Sequence, residues 1–255
     1  IKNIKYFVHI SIFLLIFLGI QSCSLKQTLY INKNSSGNID FELTLAPFFV
    51  EVTEQLAELF PDENNITEND SGPFNLKKIK DDFGKNEGSD LESLENPSDN
   101  ILKGSIAFDD ITKALAGDGS NDILDIFNFA ADNNRYKLSV ELNYETVGQF
   151  LLSNPSLNSP LMESFGPMAN KGLNENDYLD MMEFALGEKS RLGIKESFLL
   201  MDVNVDGKIV SQSGGTLIDQ DTVRFEIPLL KILLLDECIC LENCRSRNSY
   251  DASRA

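Results

Sequence analysis

The sequence predicts an α+β fold: a largely antiparallel sheet with packed amphipathic helices. Three observations lead there. Short segments alternate apolar and polar residues, the cleanest being Arg135–Tyr144, where Tyr136, Leu138, Val140, Leu142 and Tyr144 share one face. Segments with helical spacing lie between them. Strands and helices follow one another without an internal repeat or a regular β-α-β order, which disfavours a parallel sheet. The 255 residues are 42% hydrophobic and 24% charged, an ordinary globular composition for one large or two small domains.

Taken in order, Thr28–Ile31 and Ile39–Leu45 read as strands. In the second, Ile39, Phe41, Leu43 and Leu45 alternate with Asp40, Glu42 and Thr44, and the turn formers Asn32–Asn38 join the two into a hairpin. Pro47 then opens an amphipathic helix whose apolar face is Phe49, Val52, Leu56, Leu59 and Phe60, with Glu51, Glu54 and Glu58 opposite. Residues 61–100 carry 11 acids against 4 lysines, and Asp62–Gly72 and Gly88–Asn100 lack apolar periodicity. They read as solvated loops around a short helix near Phe74–Phe83, an acidic mobile excursion. Ile101–Phe108 reads as a strand, Ala107–Ala116 as a turn or helix, Asp122–Ala131 as a helix, and Thr146–Leu152 as a short helix. Asn154–Lys171, with Pro155, Pro160 and Pro167, reads as irregular. Glu175–Leu186 is helical, with Tyr178, Met181, Met182 and Ala185 on one face, which core filling explains best. Ser197–Val205 is a strand, and Asp206-Gly207 signals a hairpin into Lys208–Ser211. Thr222–Ile227 is a further strand. The apolar run Pro228–Leu235 is too short to span a bilayer and is expected to pack on the domain.

The N-terminus has its own logic. Lys2 and Lys5 precede an apolar stretch, Tyr6–Ile20, of 15 residues, shorter than the ~20 needed to cross a bilayer. That is the pattern of a signal peptide. It runs into Ile20-Gln21-Ser22-Cys23, which resembles a bacterial lipobox: a branched apolar residue three places before a cysteine and a small residue just before it. Gln21 departs from the small residue usual at its place, and relaxed boxes of this kind resemble those of spirochaetal lipoproteins. The resemblance extends from Ile1 to Cys23 and no further. It implies that the Cys23 thiol receives diacylglycerol, that residues 1–22 are cut away, and that the new amino terminus is acylated. Two chains on one residue suffice for stable anchoring where one gives only marginal binding. The alternative is a buried cysteine after an uncleaved anchor helix. The Ser36-Gly37 hairpin followed by Pro47-Phe48-Phe49, with the later Asp206-Gly207 turn, looks like stretches of envelope lipoproteins of unassigned activity, and implies none here.

Composition limits the chemistry. Net charge is −18, and loss of residues 1–22 removes two lysines and no acid, leaving −20. Such a chain repels phosphate backbones, so no nucleic-acid partner is expected. The one histidine, His9, lies in the leader. Without it the remaining chain cannot build Ser-His-Asp or Cys-His catalysis or a His-ligated metal centre. Neither GxxxxGK[ST] nor GxGxxG occurs. Asp202, Asn204, Asp206 and Gly207 imitate the opening of a calcium EF-hand loop, but its twelfth position is Ser213 rather than glutamate, and the flanks read as strands. The hairpin reading, with the three polar side chains on a solvent face, is preferred. Cys238, Cys240 and Cys244 lack a fourth ligand and the paired spacing of zinc sites; one pair can form a disulfide in an oxidising envelope. No metal, cofactor or catalytic residue is therefore expected.

Arg245, Arg247 and Arg254, three of the six arginines, crowd the C-terminal end. The break near Asp236 admits two readings, a tail from a shifted reading frame or an ordinary exposed tail. The expected organisation is a signal peptide (1–22), a lipidated Cys23 with a tether (23–27), one α+β domain (28–237) including the acidic excursion 61–100, and a disordered tail (238–255). The expected protein is a membrane-anchored lipoprotein of the bacterial cell envelope, on the surface or the periplasmic side. It is expected to be a non-catalytic module that binds a ligand or an envelope protein partner. The alternative is an envelope enzyme using paired carboxylates.

Overall fold

The computed structural model describes residues 22–51, 73–83, 88–116, 126–132, 135–153 and 160–246. Two sheets carry the fold. The first has strands β1 (Ser24–Ile31), β2 (Gly37–Thr44), β3 (Ser89–Ser98), β4 (Ile101–Phe108), β7 (Phe198–Val205), β9 (Thr216–Leu217) and β10 (Thr222–Pro228), in the order β3-β4-β2-β1-β7-β10-β9. The second has β5 (Phe127–Asp132), β6 (Arg135–Leu142), β8 (Lys208–Ser213) and β11 (Ile239–Ser246), in the order β5-β6-β11-β8. Among the described strands only β1 and β7 pair in parallel. The class is α+β and largely antiparallel, as the sequence predicts.

Register explains the layers. In β1 and β2, Leu29 lies opposite Ile39, and across β1 and β7 it lies beside Val203, which faces Val223 of β10. These side chains form the inner face and meet Leu138, Val140, Leu241 and Ile209 of the second sheet in one core. The alternate residues form a polar outer face, where Lys26, Glu42 and Lys103 make a ladder of opposite charges and Arg224 grips Asp202 at 2.6 and 2.7 Å. One wet face and one buried face is the usual state of an antiparallel sheet.

The helices are α1 (Leu76–Phe83), α2 (Ile111–Ala116), α3 (Tyr144–Ser153), α4 (Pro160–Phe165), α5 (Glu175–Leu186), α6 (Glu188–Glu196) and α7 (Leu229–Leu234), and residues 47–51 are also helical. Helix α5 starts where Asn174 accepts from the Asp177 backbone N–H, and ends at Gly187. Its buried residues Tyr178, Leu179 and Met182 join Ile194 of α6, Leu230 and Leu234 of α7, and Phe48 in a second core. The apolar run after Pro228 thus packs on the body of the domain. Leu76 and Ile79 of α1 cover a third cluster around Leu94 and Leu102.

Several expectations need correction. Residues 24–27 are not a tether: they open β1 and pair with β2 and β7. Residues 89–98 of the acidic excursion are strand β3. The extra residue Glu92 bulges between Leu91 and Ser93, so Leu91 and Leu94 both reach the inner face and the period-2 pattern is lost. The remaining stretches of that excursion, 61–72 and 84–87, lie outside the described residues, as does the expected helix beyond residue 51. Residues 127–131 are strand rather than helix, because Phe127 and Phe129 alternate and pair with Val140 and Leu138. Residues 160–165 are helical where irregular chain was expected. Asp206-Gly207 is not a hairpin tip. Both edges of β7 are already taken by β1 and β10, so β8 crosses to the other sheet and pairs with β11. The expected disordered tail begins as β11, set between β6 and β8, with Leu241 and Asn243 buried.

Candidate functional site

Cys23 stands one residue before β1, at the end of the sheet that carries the helical layer. Its surroundings follow from strand pairing. Its carbonyl accepts from the Phe198 N–H at 3.2 Å, extending the β1–β7 ladder by one step. Its own N–H donates to Ser197 Oγ at 2.8 Å, and that hydroxyl donates to the Gly193 carbonyl at 2.6 Å. Ser197 is 2% exposed, so its hydroxyl clamps Cys23 to the end of α6 away from water. The Ala46 N–H donates to Cys23 Sγ at 3.2 Å. The sulfur is half-buried among side chains of the second core.

Burial pushes the Cys23 thiol above its ordinary pKa, against smaller opposite effects of the Ala46 and Ser197 hydrogen bonds. The group is therefore a neutral thiol near neutrality, not a thiolate nucleophile. Neither contact depends on a free thiol or a free amine, since a thioether sulfur can accept a hydrogen bond and an amide N–H can donate one. The motif singles out Cys23 in the sequence but carries no signal for Ser197, which meets Cys23 only because β7 starts beside β1.

The other sequence-predicted residues are engaged elsewhere. Asp202 pairs with Arg224, the Asn204 amide donates to Thr222 Oγ1 at 2.9 Å, and Asp206 lies 3.5 Å from Lys33 Nζ. Among the described residues no cluster of three potential metal ligands occurs. Cys238 and Cys240 are disulfide-bonded and Cys244 is free. Asp219 and Asp221 form a carboxyl pair, Asp221 pushed up and Asp219 held down by their mutual hydrogen bond. They sit in a surface turn that this bond and the Asp221 N–H to Asp219 Oδ1 contact help to close. The residues of the expected signal peptide up to Gln21, His9 included, lie outside the described residues.

Fold and site together define an α+β domain of two facing sheets with a cysteine fixed at the mouth of its central strand. No protein-family model and no curated protein matches the sequence. Among solved structures, the chain is similar to the folded domain of the Mycobacterium tuberculosis LppM protein, determined by NMR. Identity is 11% and the TM-score 0.39, over 92% of this chain and 95% of that one; a score that low does not establish a shared fold. Among the described residues no helix is long and apolar enough to cross a membrane.

Proposed function

We propose that this chain is a bacterial envelope lipoprotein, held to the membrane by acyl chains on Cys23, whose α+β domain binds a ligand or an envelope partner without catalysis. The observation that carries the reading is the run Ile20-Gln21-Ser22-Cys23 after a 15-residue apolar stretch, with the ordered body of the domain starting at the next residue. The hydrogen bonds to Cys23 Sγ and from its N–H need neither a free thiol nor a free amine, and two acyl chains anchor where one does not. Because β1 starts at Ser24, the anchored domain sits directly on the bilayer rather than on a flexible stalk. The chain after Cys23 holds no histidine, which leaves out histidine-dependent catalysis.

The test is metabolic labelling with palmitate in cells making the wild-type chain or Cys23→Ala. The label should enter the wild type and be lost, with unprocessed precursor accumulating, in the variant. Equal labelling of both removes Cys23 as the lipid site and the proposal with it.

A further inference from the structure

Strand β11 is fixed by its pairing with β6 on one side and β8 on the other, and by Leu241 in the core. The Cys238–Cys240 bridge lies at its entry: Cys238 precedes the strand, Cys240 is its second residue, and Ile239 between them packs against the core. Both cysteines are exposed, and their Cα atoms stand 5.9 Å apart, an ordinary span for a disulfide. The stability a disulfide adds grows with the length of chain it closes. A bridge over one residue, on a strand already paired on both sides, therefore adds little. Exposed disulfides are the more oxidising and labile ones.

The bridge also borders a place for a partner. The second sheet carries a polar groove of about 410 Å³, open to solvent, and Cys240 is one of its lining residues. Asn128, Ser139 and Ser213 bring an amide and two hydroxyls to it, and Lys137 and Glu242, paired at 2.8 Å, bring both signs of charge. Such a lining offers hydrogen bonds to the backbone of a peptide. We propose that the Cys238–Cys240 bridge is a thiol–disulfide exchange site, which takes two electrons from a dithiol peptide or protein seated in this groove. A substrate thiolate attacks Cys240 Sγ, the bond to Cys238 Sγ breaks, and Cys238 leaves as a thiolate. The second substrate thiolate then attacks the substrate's own sulfur in the mixed disulfide, which forms the substrate disulfide and expels Cys240 as a thiolate. The two protons of the substrate dithiol end on Cys238 and Cys240. The substrate is oxidised and the bridge reduced once per chain, a stoichiometric transfer that goes beyond the binding role proposed above. It involves neither Cys23 nor Cys244 and stands whether or not Cys23 is lipidated.

The experiment mixes the oxidised full chain, in detergent micelles, with an equal amount of reduced thioredoxin as the protein dithiol, and follows each cysteine by alkylation and peptide mass mapping. At equilibrium roughly three quarters of the Cys238–Cys240 bridge should be reduced, an equilibrium constant of about ten. A bridge that stays oxidised is a structural one and overturns the proposal. With glutathione as a single-thiol probe, rapid quenching with N-ethylmaleimide should find glutathione on Cys240 and maleimide on Cys238; the reverse pattern removes the groove from the reaction. Ser139→Trp, which crowds the groove from β6, should slow reduction by a dithiol peptide about tenfold and leave reduction by dithiothreitol unchanged. Ser213→Trp, on β8, makes the same test if the first variant does not fold. An unchanged peptide rate, or equal slowing with both reductants, refutes a seat in the groove. The double variant Cys238→Ala and Cys240→Ala should melt with the wild type, and a large fall in Tm would make the bridge a structural staple instead.

Discussion

Leu241 gives the sharpest test of the architecture, because the sequence places it in a tail and the structure places it in the core. It lies in β11, directly opposite Val140 of β6, and is 6% exposed. It packs in the cluster that joins the two sheets. Leu241→Ala removes buried methyl groups and leaves a cavity that the flanking strands β6 and β8 cannot close without moving. The expected loss is ~2–5 kcal/mol, a large share of the ~5–15 kcal/mol typical of a domain. Leu217 is the matched control: it is 50% exposed, on the two-residue edge strand β9, and Leu217→Ala should change stability by less than ~1 kcal/mol. Urea denaturation gives both values, and an unchanged slope shows that the unfolded states are alike. Deleting residues 238–255 should go further and abolish cooperative unfolding, since β6 and β8 would lose their shared partner. If Leu241→Ala costs no more than Leu217→Ala, and the truncated chain melts like the full one, β11 is not part of the folded domain.

Three other outcomes are expected. Asn243 is 3% exposed and neither atom of its amide has a hydrogen-bond partner among the described residues; Asn243→Leu should therefore stabilise by ~1–3 kcal/mol, and a lower urea midpoint would contradict this. Gly187, between α5 and α6, has φ 87° and ψ 167°, a region open essentially to glycine alone, although a Cβ there would meet nothing within 4 Å; Gly187→Ala should cost ~1–3 kcal/mol through backbone strain, and a neutral substitution would show that the hinge relaxes. The Glu42 carboxyl is held below the ordinary glutamate value, first by the hydrogen bond from Lys103 at 2.7 Å and then by the charges of Lys103 and Lys26. A pKa depressed in the folded state means that its contribution is full above the unfolded value near 4.5 and is lost as pH falls through the lower folded value. Melting curves of wild type and Glu42→Gln should differ by no more than the ~0.2–1 kcal/mol of a partly exposed pair at neutral pH and converge in acid; a gap that widens in acid would reverse the sign.

What could be read from the sequence was local. β6, β10 and α5 are legible because each carries a complete period, with apolar residues on one face and polar residues on the other. β3 hides because the bulge at Glu92 shifts the pattern by one residue. β11 hides because Asn243 occupies an inner-face position opposite Leu138, where alternation calls for an apolar side chain. The partner of β8 is illegible in a different way. Asp206-Gly207 is a sound local turn signal, but pairing is decided by β1, near the start of the chain, and β10, which follows β8. Those two strands already occupy both edges of β7. The same distinction separates the parts of the site. Cys23 is marked by its own neighbours in sequence, whereas Ser197 comes to it only once distant strands have met.

The anchoring proposed for Cys23 would load the central strand of the larger sheet. β1 is flanked along its whole length, from Ser24 to Ile31, by β2 on one side and β7 on the other. Were Cys23 lipidated as proposed, a pull on the lipid would act along the strand, and both ladders would resist it together in shear rather than one bond at a time. The contacts of Cys23 itself, from Ala46 and to Ser197, oppose fraying at the start of the strand. A stalked protein can place its anchor on chain that need not fold. Here the residue after the cysteine is already paired on both sides. The parallel β1–β7 pair, the exception among the described strands, brings the end of α6 and the start of β7 to Cys23. That exception is what lets Ser197, remote in sequence, close over the Cys23 nitrogen. On the proposed reading, the strand next to the anchor is thus also the one whose parallel pairing sets Ser197 over Cys23.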